Sequence, residues 1–141
     1  MDQRRAVPRA SATIHAILLG FITPLALAAL LSDWRFSTTY EIQWLNMADW
    51  MVTGSLLGGG LALAWTLIER TVQRRWRDRP SGIALLLLVI FMIVQFINAL
   101  THAKDNYATM PMGLVLSLIT TLIAIAAAWT GLRTINGEIV R

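Results

Sequence analysis

Four apolar runs, at residues 14–32, 50–68, 82–102 and 111–130, decide what this chain can fold into. Even the shortest holds about eighteen residues, or roughly 27 Å of helix at 1.5 Å per residue, which is enough to cross the hydrocarbon core of a bilayer. No water is available there to satisfy backbone amides and carbonyls, so a spanning segment must close its hydrogen bonds within itself as a helix. The expectation is an all-α, polytopic membrane protein, a four-transmembrane-helix bundle built as a single membrane domain over residues 1–141. Composition agrees, with 56% hydrophobic and 14% charged residues, the balance of a multi-span membrane chain.

Charge sets the orientation. All of the 12 Lys and Arg residues except Arg35 and Lys104 fall in the two tails or in the segment 69–81. Positive residues beside spans stay on the cytoplasmic side, so both termini and the 69–81 connection are expected in the cytoplasm, in a bacterial inner membrane. Trp76 reads as an interfacial anchor at the anionic inner surface. This simpler reading of the arginines displaces nucleic acid as a partner. The basic start, Arg4, Arg5 and Arg9, precedes an apolar run too long for a signal peptide, so the first helix is read as retained.

Local signals refine the bundle. Pro24 lies mid-run after Gly20 and Thr23, where a kink is expected. Asp33, Trp34 and Arg35 mark the exit from the first span. Thr38 and Glu41 have the spacing of a capping box, so the second helix is expected to begin near residue 39. Gly54 and Gly58 form a GxxxG pair, with Gly59, Gly60 and Ala62 following, which lets another backbone approach closely, within one chain or in a homo-oligomer. Pro111 fits the first turn of the fourth helix and Gly131 its end. Gly113, Ser117 and Thr120 form a small face on that helix for packing against the third.

The stretch QFINALTHAKDNYATMPMG, residues 95–113, carries the chemistry. Gln95, Asn98, His102 and Asp105 are spaced by three, four and three residues and so share one face of a continuing helix. A polar stripe at that depth must face a partner, a cavity or a ligand. His102 with an Asp partner, near Trp44 and Trp50 at the outer end, is a candidate site for a quinone, haem b or copper. Met47, Met51, Met110 and Met112 lie in segments that could meet it there. His15 starts the first helix on the inner side, so the two histidines of the chain stand roughly a hydrocarbon thickness, about 30 Å, apart and cannot share one haem. His15 reads as an interfacial imidazole bonded to a neighbour or headgroup.

Other functions find no motif. Cys is absent, which removes disulfides, thiol nucleophiles and thiolate metal sites. HExxH, GxSxG and the phosphate loop are absent too. Spans read as free of charge, without an evident inverted repeat, give a transporter little to work with.

Several runs resemble the domain-of-unknown-function 2231 family of four-helix bacterial inner-membrane proteins: SDW at 32–34, EIQWLNMADWMVTGSLLGGGLALAW at 41–65, INALTHAKDNYATMPMGLVLS at 97–117 and AAAWTG at 126–131. The resemblance implies that His15, Asp33, Trp44, Asn46, Trp50, Asn98, His102, Asp105, Pro111, Gly113 and Ser117 occupy the family's motif positions. Ala16 stands where many members have Pro. The resemblance also implies an association with sorbosone-dehydrogenase-like quinoproteins, hence a membrane partner for periplasmic oxidation. The functional expectation is a non-catalytic membrane subunit or anchor that docks a periplasmic redox partner or a neighbouring membrane complex. The competing expectation is an electron-transfer protein with its site around His102.

Single cysteines in this Cys-free chain test the orientation. Lys104→Cys should react with an impermeant thiol reagent from outside the inner membrane, and Arg75→Cys only after permeabilisation. Labelling with the sides reversed would overturn the arginine argument.

Overall fold

The computed structural model of the protein describes residues 9–72, 79–104 and 106–139. Residues 1–8, the segment 73–78 with Trp76, and Asp105 lie outside the described residues. Helix α1 is Arg9–Thr39, α2 Ile42–Val72, α3 Arg79–His102 and α4 Met112–Ile139, with a single 3₁₀ turn at Asn106–Thr109 between the last two. All four helices are long and apolar enough to cross a membrane. They form a ring in which α1 packs on α2 and α4, and α3 on α2 and α4. The α1–α2 seam is the most extensive and the α2–α3 seam the least.

Side chains are distributed as lipid solvent requires. Large apolar groups such as Ile17, Phe21, Leu57, Leu86, Ile93 and Leu122 are exposed, while alanines at 26, 48, 62, 124 and 127 are buried. Lipid tails are as apolar as a leucine core, so burying large hydrophobes gains little and close backbone approach gains dispersion contacts instead. The glycines serve this approach within the chain. A Cβ on Gly54 would lie 3.4 Å from Leu25, and one on Gly58 3.4 Å from Phe21, so the GxxxG face seats α1. Gly59 faces the other way, against the Phe91 ring and Met92 sulfur of α3.

Three boundaries differ from the sequence expectation. Helix α1 continues through Pro24 and six residues beyond Asp33, to Thr39. There the chain turns on Tyr40, at φ 55°. The Tyr40 N–H donates to the Phe36 carbonyl at 2.8 Å, which is the left-handed helix cap, and the two rings meet edge to face with centroids 5.7 Å apart. The capping box does not form, because Thr38 and Thr39 each donate their hydroxyl back to the Arg35 carbonyl at 2.9 Å. Glu41 instead accepts from the Trp44 indole at 3.0 Å, and α2 starts at Ile42. Pro111 stands just ahead of α4, its carbonyl accepting from the Val115 N–H at 3.2 Å. Gly131 does not stop α4, which runs on to Ile139. It gives room to Leu19 of α1, whose Cδ1 lies 2.5 Å from where a Cβ would be.

These contacts separate the glycines by consequence. A Cβ on Gly59 would sit 2.7 Å from Phe91 Cε1, whereas one on Gly20 meets nothing within 4 Å. Gly59→Val should lower stability in detergent by about 1–3 kcal/mol through overpacking. Gly20→Ala should be neutral or stabilise by up to about 1 kcal/mol through helix propensity. Thermal unfolding of the two variants beside wild type is the check.

Candidate functional site

The site is built around Asp33, which the extension of α1 carries into the bundle, where the residue is fully buried. Its Oδ1 is 2.9 Å from His102 Nε2 on α3, and its Oδ2 accepts the Ser117 hydroxyl of α4 at 2.5 Å. Ser117 Oγ in turn accepts from Asn98 Nδ2 at 3.0 Å. The other ring nitrogen of His102, Nδ1, is 3.0 Å from the Asn98 carbonyl on its own helix. A carbonyl only accepts, so Nδ1 carries a hydrogen. One further proton therefore lies between Nε2 and Oδ1, on whichever atom, and the pair as a whole is neutral. Gly113 makes this possible, since a Cβ there would lie 3.1 Å from His102 Cε1 and 2.8 Å from Thr109 Cγ2.

One turn inward, Gln95 crosses to α2 and donates its amide to Ser55 Oγ at 2.6 Å and to the Val52 carbonyl at 3.3 Å. Gln95 and Asn98 are both fully buried. Asp49 on α2 is half-buried and interacts electrostatically with both Asp33 and His102. The spans are thus not free of charge. Reading Asp33 as an exit residue placed the helix end too early, and with the true end at Thr39 the carboxylate becomes an interior group.

A second arrangement of the same kind occupies the opposite end. His15 Nδ1 is 2.8 Å from Glu69 Oε2 of α2, and Glu69 Oε1 accepts from the Ser11 hydroxyl at 2.5 Å. The Thr66 hydroxyl gives its hydrogen to the Ala62 carbonyl at 2.7 Å, so at 3.1 Å its oxygen can only accept from His15 Nε2. Again one proton is left between a ring nitrogen and a carboxylate. Leu19, Ile22, Leu88 and Phe91 belong to the dry core and carry no polar atom to join the two ends.

Of the residues expected at the site, Gln95, Asn98 and His102 do converge on the bundle interior. Asp105 lies outside the described residues. Trp50 is 74% exposed and Trp44 is engaged with Glu41, so neither indole lines the pair. Met47 and Met112 are likewise exposed. Asp33, Ser117 and Glu69 are the residues whose role the sequence reading missed. For Asp33 and Ser117 the available signal was their place in the SDW and GLVLS runs.

Haem or copper ligation does not fit this arrangement, because both His102 ring nitrogens are committed to protein acceptors. Among the described residues no group of three or more His, Cys, Asp or Glu side chains could hold a metal ion. The family profile described as predicted membrane protein (DUF2231) matches residues 11–139. The chain belongs to the DUF2231 family. Neither curated proteins nor solved structures give a match. The four-helix membrane architecture stands, and His15, Asp33, Asn98, His102, Gly113 and Ser117, among the residues that carried the resemblance, take part in the polar contacts just described or leave room for them.

Removing one member of the Asp33–His102 pair leaves a buried polar group without its partner. Asp33→Leu and His102→Phe should each destabilise by about 3–5 kcal/mol, and the double variant by clearly less than their sum. A double-mutant cycle on unfolding in detergent measures this; strict additivity would mean the pair is not coupled.

Proposed function

We propose that this protein is a non-catalytic membrane subunit or anchor of the bacterial inner membrane, with both termini in the cytoplasm, that docks a periplasmic redox protein or a neighbouring membrane complex at its outer end. The observation that carries the reading is the full commitment of the His102 ring to Asp33 and Asn98. An imidazole held at both nitrogens fastens helices; it has no free position for a redox metal, and a quinone oxygen would have to displace one of its bonds. The outer end of α2 supplies a surface, since Gln43, Asn46, Met47 and Trp50 recur at helical spacing and are all exposed. An indole and a methionine on such a stripe suit a protein partner as well as the lipid headgroup zone. The arginine distribution supports the orientation.

The competing reading is an electron-transfer protein that carries a redox group such as a quinone at the same end, and one preparation separates the two. The protein purified in mild detergent should be colourless, free of transition metals and quinone, and accompanied by its partner, which is lost in the double variant Met47→Ser, Trp50→Ser. A stoichiometric Soret band or extractable quinone that disappears in His102→Ala would defeat the anchor reading.

A further inference from the structure

Hydrogen-bond accounting at the α2–α3 seam leaves three oxygens without a donor. Ser55 gives its hydrogen to the Val52 carbonyl at 2.9 Å, so its oxygen can only accept from Gln95, which must present its NH₂ to α2. Ser117 gives its hydrogen to Asp33, so Asn98 must likewise present its NH₂ to Ser117. Both amide orientations are thereby fixed by their neighbours rather than chosen freely. The consequence is that Gln95 Oε1 and Asn98 Oδ1 are buried with no hydrogen-bond partner among the described residues, and Asp49 Oδ1 is in the same condition. Leaving one such atom dry costs on the scale of a whole hydrogen bond, and three together call for a ligand.

The helix register sets them within about one turn of each other along the bundle. Gln95 reaches across to Val52; one turn outward on the two antiparallel helices stand Asn98 and Asp49. Their chemistry is uniform: two amide oxygens and a carboxylate oxygen, all acceptors. The charge is unbalanced as well. Asp33 and His102 share one proton and sum to zero, Ser117 and Ser55 are neutral, and the nearest cationic side chains, Arg35 and Lys104, are exposed at the helix ends. When ionised, Asp49 adds one negative charge with no ion-pair partner among the described residues.

We propose that Asp49, Asn98 and Gln95 bind a monovalent, sodium-sized cation in the α2–α3 seam. Hard cations take carboxylate and amide oxygens as ligands, and a single surplus charge matches a monovalent ion better than a divalent one. Water brings hydrogens but no charge, and a proton on Asp49 supplies one donor for two amide oxygens. The seam is the least extensive in the bundle, and half-buried Asp49 leads from it toward the outer end. The site does not depend on the anchor reading.

The test uses the full chain in nanodiscs at about pH 8, above the ordinary carboxylate range. Choline chloride is replaced stepwise by sodium or potassium chloride at constant ionic strength while the unfolding temperature is followed. Sodium should raise it saturably and choline should not. Asp49→Asn should weaken the half-saturating sodium concentration at least about tenfold, a ligand counting for no less than the groups that support one, while Gly20→Ala should respond as wild type. If Asp49→Asn does not fold, Gln95→Met, which keeps the charge and removes one oxygen, should show the same weakening. Stability indifferent to sodium, or dependent on pH alone so that only a proton is bound, or a sodium response unchanged in these variants, would overturn the proposal.

Discussion

One whole end of this bundle depends on where the Asp33 carboxylate can go. An ionisable group inside a bilayer-spanning helix is tolerable only if its partners are brought to it, and here two other helices bring them. α3 supplies the His102 ring and α4 the Ser117 hydroxyl, so one side chain of α1 fastens the whole α3–α4 hairpin. The requirement propagates into the sequence. α1 must continue past Asp33 to hold it at the right depth, Tyr40 must turn the chain afterwards, and position 113 must lack a side chain so that the imidazole fits.

The opposite end solves the same problem with different helices. There α1 supplies the histidine and the serine, while α2 supplies the carboxylate and the threonine. α1 is thus the common member: joined to α2 at the His15 end, to α3 and α4 at the Asp33 end, and pressed in between against Gly54, Gly58 and Gly131. In lipid, where burial of apolar surface offers little net drive, the two neutral pairs, interhelical hydrogen bonds such as Thr121 to the Ala26 carbonyl and the close backbone approaches define the arrangement. The α2–α3 seam lacks such a latch. Among the described residues it has the Gln95 bridge, the electrostatic contact of Asp49 with His102, and three unsatisfied oxygens.

Much of this was legible in the chain and some was not, for reasons that are physical. Span number followed from apolar length, since a bilayer admits few alternatives. The polar face of Gln95, Asn98 and His102 was legible because all three lie on one helix, where spacing fixes direction. Asp33 and Glu69 were not, because their partners are 69 and 54 residues away in the chain, counted from His102 and His15, and helix periodicity says nothing about such pairs. The capping box misled because the Thr38 hydroxyl bonds backward to the Arg35 carbonyl, and the Glu41 N–H finds Thr39 instead. Gly131 misled for a similar reason: glycine ends helices, but in a membrane bundle it also lets a leucine in.

The central claim is that the His102 imidazole is held at both nitrogens by the protein. Nitrogen-15 NMR of histidine-labelled protein in bilayers addresses it directly, with His15→Ala assigning the two rings. The account predicts a His102 Nδ1 that stays protonated and exchanges slowly with water, and an Nε2 resonance that moves in Asp33→Asn. Rapid averaging between the two ring tautomers, together with fast solvent exchange at His102, would contradict it.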